Sequence, residues 1–186
     1  QTLPYHAGMA DDERQQNQNA FIGERTQTIV ATVAFGMGID KSNVRYVIHA
    51  TMPKSLEAYQ QESGRAGRDG READCCLFYS GGDVMTWKRL IEPSDSDAGR
   101  AGAMESLNAM YRFCAGVECR HEALLNHFGQ TYEKSSCDAC DVCLGTLDVV
   151  DDALTIGQQI LSCVLRVEQR FGADYVAQVL RGSKDK

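Results

Sequence analysis

The sequence predicts an α/β protein whose second half is helical. Three observations lead there. Short, nearly continuous apolar runs recur in the first half. Polar segments with helical spacing lie before and between them. Beyond a polar stretch at residues 92–99 the strand-like runs stop and only helical spacing remains. Alternating strand and helix implies a parallel sheet with helices against it.

The first predicted helix runs from Asp11 to Phe21, polar and glutamine-rich. Strand-like runs follow at Thr28–Ala34, Tyr46–Ala50 and Cys75–Tyr79. Each is short and apolar throughout, the pattern of a strand buried on both faces. A second helix is expected from Leu56 to Ala66, with Ser55 as its N-cap and Glu57 at the positive end of its dipole. The stretch 92–99 contains Pro93 and Gly99 and shows no periodicity, so it is expected to be a linker. Ala103–Phe113 places Leu107, Met110 and Tyr111 on one helical face, and Glu118–Phe128 does the same with Leu124, Leu125 and Phe128 before Gly129 stops it. Ala153–Gln169 repeats at helical spacing, and a short helix is expected over 174–180 after the turn at Phe171-Gly172. Three strands are few for such a sheet, and the chain starts at Gln1 without Met, so it is expected to be a piece of something longer.

Composition excludes several classes. The chain has 186 residues, of which 43% are hydrophobic and 24% charged, which argues against wholesale disorder. No apolar run approaches the roughly 20 residues of a membrane span. The net charge of −7 excludes a globally basic nucleic-acid binder. The charge is uneven, however: residues 41–72 carry six basic and four acidic side chains, and residues 92–152 carry twelve acidic and four basic. Only the first stretch could meet phosphate.

Eight cysteines are present, and Cys137, Cys140 and Cys143 form two overlapping Cys-x-x-Cys steps. With no export signal at the N-terminus, this spacing favours a metal site in a reducing compartment over a disulfide framework. Three thiolates need a fourth ligand for tetrahedral zinc. Cys119, Cys114, His121 and His127 are the candidates. Cys119 is favoured because it lies at a helix start, where the dipole stabilises a thiolate. Four thiolates leave no open position, so the zinc would be structural; an iron–sulfur cluster is the rival cargo. The metal is expected to hold residues 103–143, which have few large apolar groups of their own. Cys75, Cys76 and Cys163 are expected in the core.

Two further constellations concern phosphate. Gln61-Glu62-Ser63-Gly64-Arg65-Ala66-Gly67-Arg68-Asp69-Gly70 puts two arginines three apart among glycines at a helix end. Guanidinium groups fork onto phosphate oxygens. The bland alternative is an exposed loop pairing with Glu62 and Asp69. Thr32–Asp40, with Gly36, Gly38 and Asp40 after a strand, places a hydroxyl, glycines and a carboxylate where α/β proteins bind ligands. No G-x-x-x-x-G-K-[ST] phosphate loop occurs in the chain.

Together these residues carry a resemblance. Thr32–Asp40 resembles motif V, and Gln61–Gly70 motif VI, of superfamily 2 helicases. The wording Ala34-Phe35-Gly36-Met37-Gly38-Ile39-Asp40-Lys41, then Pro53-Lys54-Ser55, then Gln61–Gly70, is similar to the RecQ family, as is Tyr5-His6-Ala7-Gly8. Cys119-Arg120, Phe128-Gly129 and Cys137–Cys143 resemble that family's zinc-binding subdomain, and Ile160–Cys163 with Arg170-Phe171-Gly172 the opening of its winged-helix domain. One departure is His121, where the family usually has a second arginine.

The resemblance implies a partial RecA-like parallel sheet over 1–92, a helical zinc-binding subdomain over 93–147 and the first helices of a winged-helix unit over 148–186. It implies part of an ATP-driven 3′→5′ DNA-unwinding motor using ATP with Mg2+, with single-stranded DNA and duplex junctions as partners, in a bacterial cytoplasm or nucleoid or a eukaryotic nucleus. Arg68 would be the arginine finger, Arg65 would bind or brace phosphate, and Gln61 would link nucleotide state to closure. Asp40 and Gly38 would meet the nucleotide. Thr32, Lys54 and Ser55 would meet DNA. The zinc ligands would be Cys119, Cys137, Cys140 and Cys143. The phosphate-loop lysine belongs to a first lobe, so this chain alone is expected to be inactive. The rival readings are an RNA-directed superfamily 2 translocase and a zinc-dependent interaction module.

Overall fold

The computed structural model describes residues 1–36, 41–93, 96–147 and 150–182. Its elements are β1 (Thr2–Tyr5), α1 (Asp11–Ile22), β2 (Thr28–Ala31), β3 (Tyr46–His49), α2 (Leu56–Ser63), β4 (Asp74–Leu77), α3 (Gly81–Ile91), α4 (Asp97–Ala115), α5 (Arg120–His127), α6 (Ala153–Arg166) and α7 (Ala173–Leu180). The chain forms two compact units, Gln1–Cys137 and Asp138–Lys186.

The strands pair in parallel, as the alternating pattern requires, but in two two-stranded sheets. β1 pairs with β2, Thr2 opposite Thr28 and Tyr5 opposite Ala31. β3 pairs with β4, Tyr46 opposite Asp74 and His49 opposite Leu77. β1 is a strand the sequence pattern does not reveal. It is four residues long and contains Pro4, which an edge position tolerates because no ladder donor is needed there. Expected burial on both faces is not found: Val30, Tyr46 and Ile48 are each more than 60% exposed. Cys75 and Cys76 are exposed too, so they do not belong to the core, whereas Cys163 is buried as expected. A two-stranded ribbon has one face to bury, and the alternating half-buried positions along β1 and β3 show that only one is covered. The run after Ala31 leaves the sheet and closes a single 3-10 turn over Val33–Gly36.

The core of the first unit lies on the helices. Met52, Leu56, Tyr59, Leu107, Met110, Phe113 and Cys114 form one buried cluster, with Trp87, Ala123 and Leu124 packed against it. Each large apolar side chain buried there contributes about 1.5–3 kcal/mol. α4 and α5 thus share their apolar support with α2 and the turn before it. α3, unforeseen because it opens on Gly81-Gly82, starts where the Ser80 N–H donates to Asp83 Oδ2 at 2.8 Å. Its Trp87 Nε1 donates to the Met52 carbonyl at 2.8 Å. The expected linker is shorter than its composition suggests, since Ser96 caps α4 by accepting the Gly99 N–H at 3.1 Å. Residues 128–147 form turns and no helix or strand.

In the second unit α6 and α7 pack together, burying Cys163 and Val176 and stacking Phe171 on Tyr175 at 4.0 Å. No helix among the described residues is long and apolar enough to cross a membrane.

Candidate functional site

α2 organises the phosphate constellation. Its apolar residues Leu56 and Tyr59 face the core, which turns Gln60 and Gln61 outward, both exposed. The Ser55 hydroxyl caps the helix by accepting the Ala58 N–H at 3.3 Å and is itself buried. Lys54 beside it is exposed. Lys54, Ser55 and Gln61 line one shallow depression together with Glu57 and Phe128.

Past Ser63 the chain turns at Gly64 and runs along the lead-in to β3. Gly67 N–H donates to Val44 O at 3.0 Å and Asp69 N–H to Ser42 O at 3.2 Å. Gly67 has φ +65°, and a Cβ there would stand 2.9 Å from the Arg71 carbonyl, so only glycine fits. Arg45 closes the loop: Nη2 reaches Asp69 Oδ1 at 2.5 Å and Nη1 donates to Glu72 O at 2.8 Å. The Arg45 hydrogen bond holds the Asp69 carboxyl below its ordinary value. At the other end of the loop, His49 Nε2 lies 2.8 Å from Glu62 Oε2.

The two acids within the arginine motif are thus paired with Arg45 and His49. Arg68 is exposed, its Nε donating to Gly64 O at 3.3 Å, and Arg65 is half-buried. Thr32 is exposed just past the carboxyl end of β2, on the other sheet, its N–H donating to Tyr5 O at 3.1 Å. Gly38 and Asp40 lie outside the described residues. Where the chain resumes, Lys41 and Asn43 both bond Glu24, at 3.2 and 2.6 Å, and the Asn43 bond more than the lysine lowers the Glu24 pKa.

The metal constellation is assembled. The Sγ atoms of Cys119, Cys137, Cys140 and Cys143 all lie within 4.8 Å of one another. Tetrahedral zinc with Zn–S of about 2.3 Å sets sulfurs about 3.8 Å apart, so a small contraction closes the shell. Cys119 and Cys140 are buried and the other two half-buried. Cys119 is the N-cap of α5, as the helix-start argument requires. In the knuckle, Asp138 takes a left-handed φ of 53° and the Cys143 N–H points at Cys140 Sγ, 3.4 Å away. Four soft donors, no carboxylate and no imidazole in the set fit a structural zinc. Of the other candidates, Cys114 and His127 have surroundings of their own. Burial pushes the Cys114 thiol up to about 11. His127 Nε2 lies 2.7 Å from Glu57 Oε1, and that bond is the main cause holding the Glu57 carboxyl at about 2.

Two contacts escaped the sequence pattern, His49–Glu62 and Glu57–His127. Each joins residues more than ten apart whose types alone suggest other duties, and only the crossing of α2 over β3 and α5 brings them together.

Known proteins match three successive stretches of the chain. Residues 1–70 match the family model described as "Helicase conserved C-terminal domain", residues 81–144 that of "RecQ zinc-binding", and residues 148–186 that of the "RQC domain". The chain is 43% identical over 182 residues to the ATP-dependent DNA helicase RecQ of Bacillus subtilis, covering 98% of this chain and 30% of that one. It is 44% identical over 180 residues to the protein of the same name from Pasteurella multocida, covering 96% and 28%. It is 47% identical over 165 residues to the RecQ-like DNA helicase BLM of Xenopus laevis, covering 81% and 12%. The chain thus spans about 30% or less of the length of these relatives. By three successive domain models, and by relatives aligned over 81–98% of its length, the chain is similar to part of the RecQ-family helicases.

Proposed function

We propose that this chain supplies the second motor lobe (residues 1–92), the zinc-binding subdomain (93–147) and the opening of the winged-helix domain (148–186) of an ATP-dependent 3′→5′ DNA helicase. ATP with Mg2+ is the fuel, single-stranded DNA and its duplex junctions the track, and the compartment is the one that holds the chromosome. The observation that carries this reading is the arginine loop. Arg45 bonds Asp69 and His49 bonds Glu62, so each acid of the motif has a partner outside the two arginines, and two guanidinium groups follow a helix end among glycines, the groups that fork onto phosphate oxygens.

In this mechanism Arg68 approaches the γ-phosphate of ATP bound on a partner lobe and neutralises charge that develops during transfer, the role worth about 10³–10⁵ in rate among related nucleotidases. Arg65 braces the same phosphates, and Gln61 reports their state to the helix. Asp40 and Gly38 meet the nucleotide. On the track, Lys54 beside the N-terminus of α2 offers phosphate a cation and a helix dipole, Ser55 holds that end of the helix, and Thr32 meets the backbone from the β2 edge. Cys119, Cys137, Cys140 and Cys143 hold the zinc, whose chemistry is structural.

The test is Arg68→Ala in the full-length protein. DNA-stimulated ATP hydrolysis is expected to fall by about 10³-fold or more while ATP binding persists. Near-normal turnover would reject the assignment. RNA stimulating turnover as well as DNA does would move the reading to the RNA-directed alternative.

A further inference from the structure

His49 has no part in the mechanism above, yet it is among the most enclosed titratable side chains beside the arginine loop. It ends β3, its side chain is 9% exposed, and its ring packs on Tyr59 of α2 at 5.2 Å between centroids. Its Nε2 sits 2.8 Å from Glu62 Oε2. An ionised carboxylate only accepts, so Nε2 carries the proton and donates. The other ring nitrogen, Nδ1, is buried with no hydrogen-bond partner among the described residues. Leaving a buried polar atom unsatisfied costs free energy, so the ring is not there to satisfy itself. It is oriented by a single bond, and that bond lands on the residue between Gln61 and the Gly64 turn.

We infer that His49 is a positioning residue for the arginine loop. The loop is tied to the β3 segment at two places. Downstream, Arg45, Val44 and Ser42 hold Asp69 and Gly67. Upstream, His49 is the side chain that fixes the last turn of α2 on the same strand. Arg65 follows Glu62 by three residues, and its N–H bonds the Glu62 carbonyl at 3.3 Å. A shift of the Glu62 turn therefore moves the origin of both arginines. His49 meets neither ATP nor DNA in this account; it acts through Glu62. The inference rests on the reading of Arg65 and Arg68 given above.

The test uses full-length protein with His49→Ala, His49→Gln, Glu62→Ala, the double His49→Ala/Glu62→Ala, and Arg68→Ala alongside. A mispositioned reacting group costs up to about 100-fold. His49→Ala is expected to lower kcat for DNA-stimulated ATP hydrolysis by about 10- to 100-fold with KM for ATP within about twofold. His49→Gln, whose amide N–H reaches the position of Nε2, should recover most of that loss. The double variant should be no worse than either single one, because both remove one bond. Thermal melting of each variant separates this from loss of fold, and the glutamine rescue does not depend on the alanine variant folding well. The inference is overturned if His49→Ala keeps its kcat, if glutamine fails to rescue, or if the two alanine losses multiply. If Arg68→Ala keeps its kcat, the proposed function fails instead.

Discussion

The arginine loop at 64–70 and the cysteine knuckle at 137–143 are both short, polar and glycine- or aspartate-rich, yet opposite means hold them. The arginine loop is bound by its own chain: two backbone bonds to Val44 and Ser42, a guanidinium on Asp69, an imidazole on Glu62, and beneath it α2 packed into the main core. The knuckle sits in a stretch, 128–147, with no helix or strand, where four sulfurs converge. A loop that must present charge is fixed by partners that consume its acids. A loop that presents nothing is fixed by an ion.

Chelation is the strongest way to break this comparison. Structural zinc contributes roughly 10–16 kcal/mol of apparent binding free energy in small peptides, so its removal should unfold the knuckle. Limited proteolysis and hydrogen exchange after chelation should expose residues 129–147 while the amides of α2 and of Gly67 and Asp69 stay protected. Equal loss of protection at both loops would show that they share one support. The converse comes from the core. Met110 is fully buried against α2, and Met110→Ala should cost about 2–5 kcal/mol in urea unfolding. Bound zinc, counted after gel filtration in native buffer, should remain near one per chain. Loss of the metal in that variant would mean the cluster depends on the helical core after all.

The smallest expected effect sharpens the boundary between the loops. Glu57 on α2 and His127 on α5 are bonded at 2.7 Å, with the Glu57 carboxyl at about 2 against an ordinary 4.5. A carboxyl depressed by folding stabilises the fold above its unfolded value. That contribution is complete above about pH 4.5 and disappears as pH falls towards 2. Glu57→Gln should therefore lower stability modestly above about pH 4.5, since the pair is partly exposed, leave it nearly unchanged near pH 2, and so flatten the acid limb of a stability–pH curve between those values. A carboxyl titrating near 4.5 by NMR would show that the bond does not form.

Much of this was legible in the sequence because it rests on local rules. Ser55 caps α2, Cys119 starts α5, and the Cys-x-x-Cys steps turn their sulfurs inward, each within a few residues. What was not legible depended on distant partners. β1 is invisible until β2 pairs with it, since Pro4 breaks the apolar pattern. Residues 103–143 have few large apolar groups of their own, and where the rest come from could not be read along the chain: Leu107, Met110 and Phe113 are completed by Met52, Leu56 and Tyr59, some fifty residues away. The strands looked fully buried because a continuous apolar run does not say how many neighbours a strand will have.

By itself the sequence determined the residue types that chemistry needs and the spacing that local backbone geometry can close: arginines three apart after a helix, thiols three apart in a turn. Packing settled that Arg45 and His49 meet the acids of the arginine motif, which of four candidate ligands completes the sulfur cluster, and that a histidine at a strand end meets the helix leading to the arginines. The physical reason is that short-range spacing is set by covalent geometry, whereas the occupant of each hydrogen-bonding group is chosen by competition among all groups that packing brings within about 3 Å.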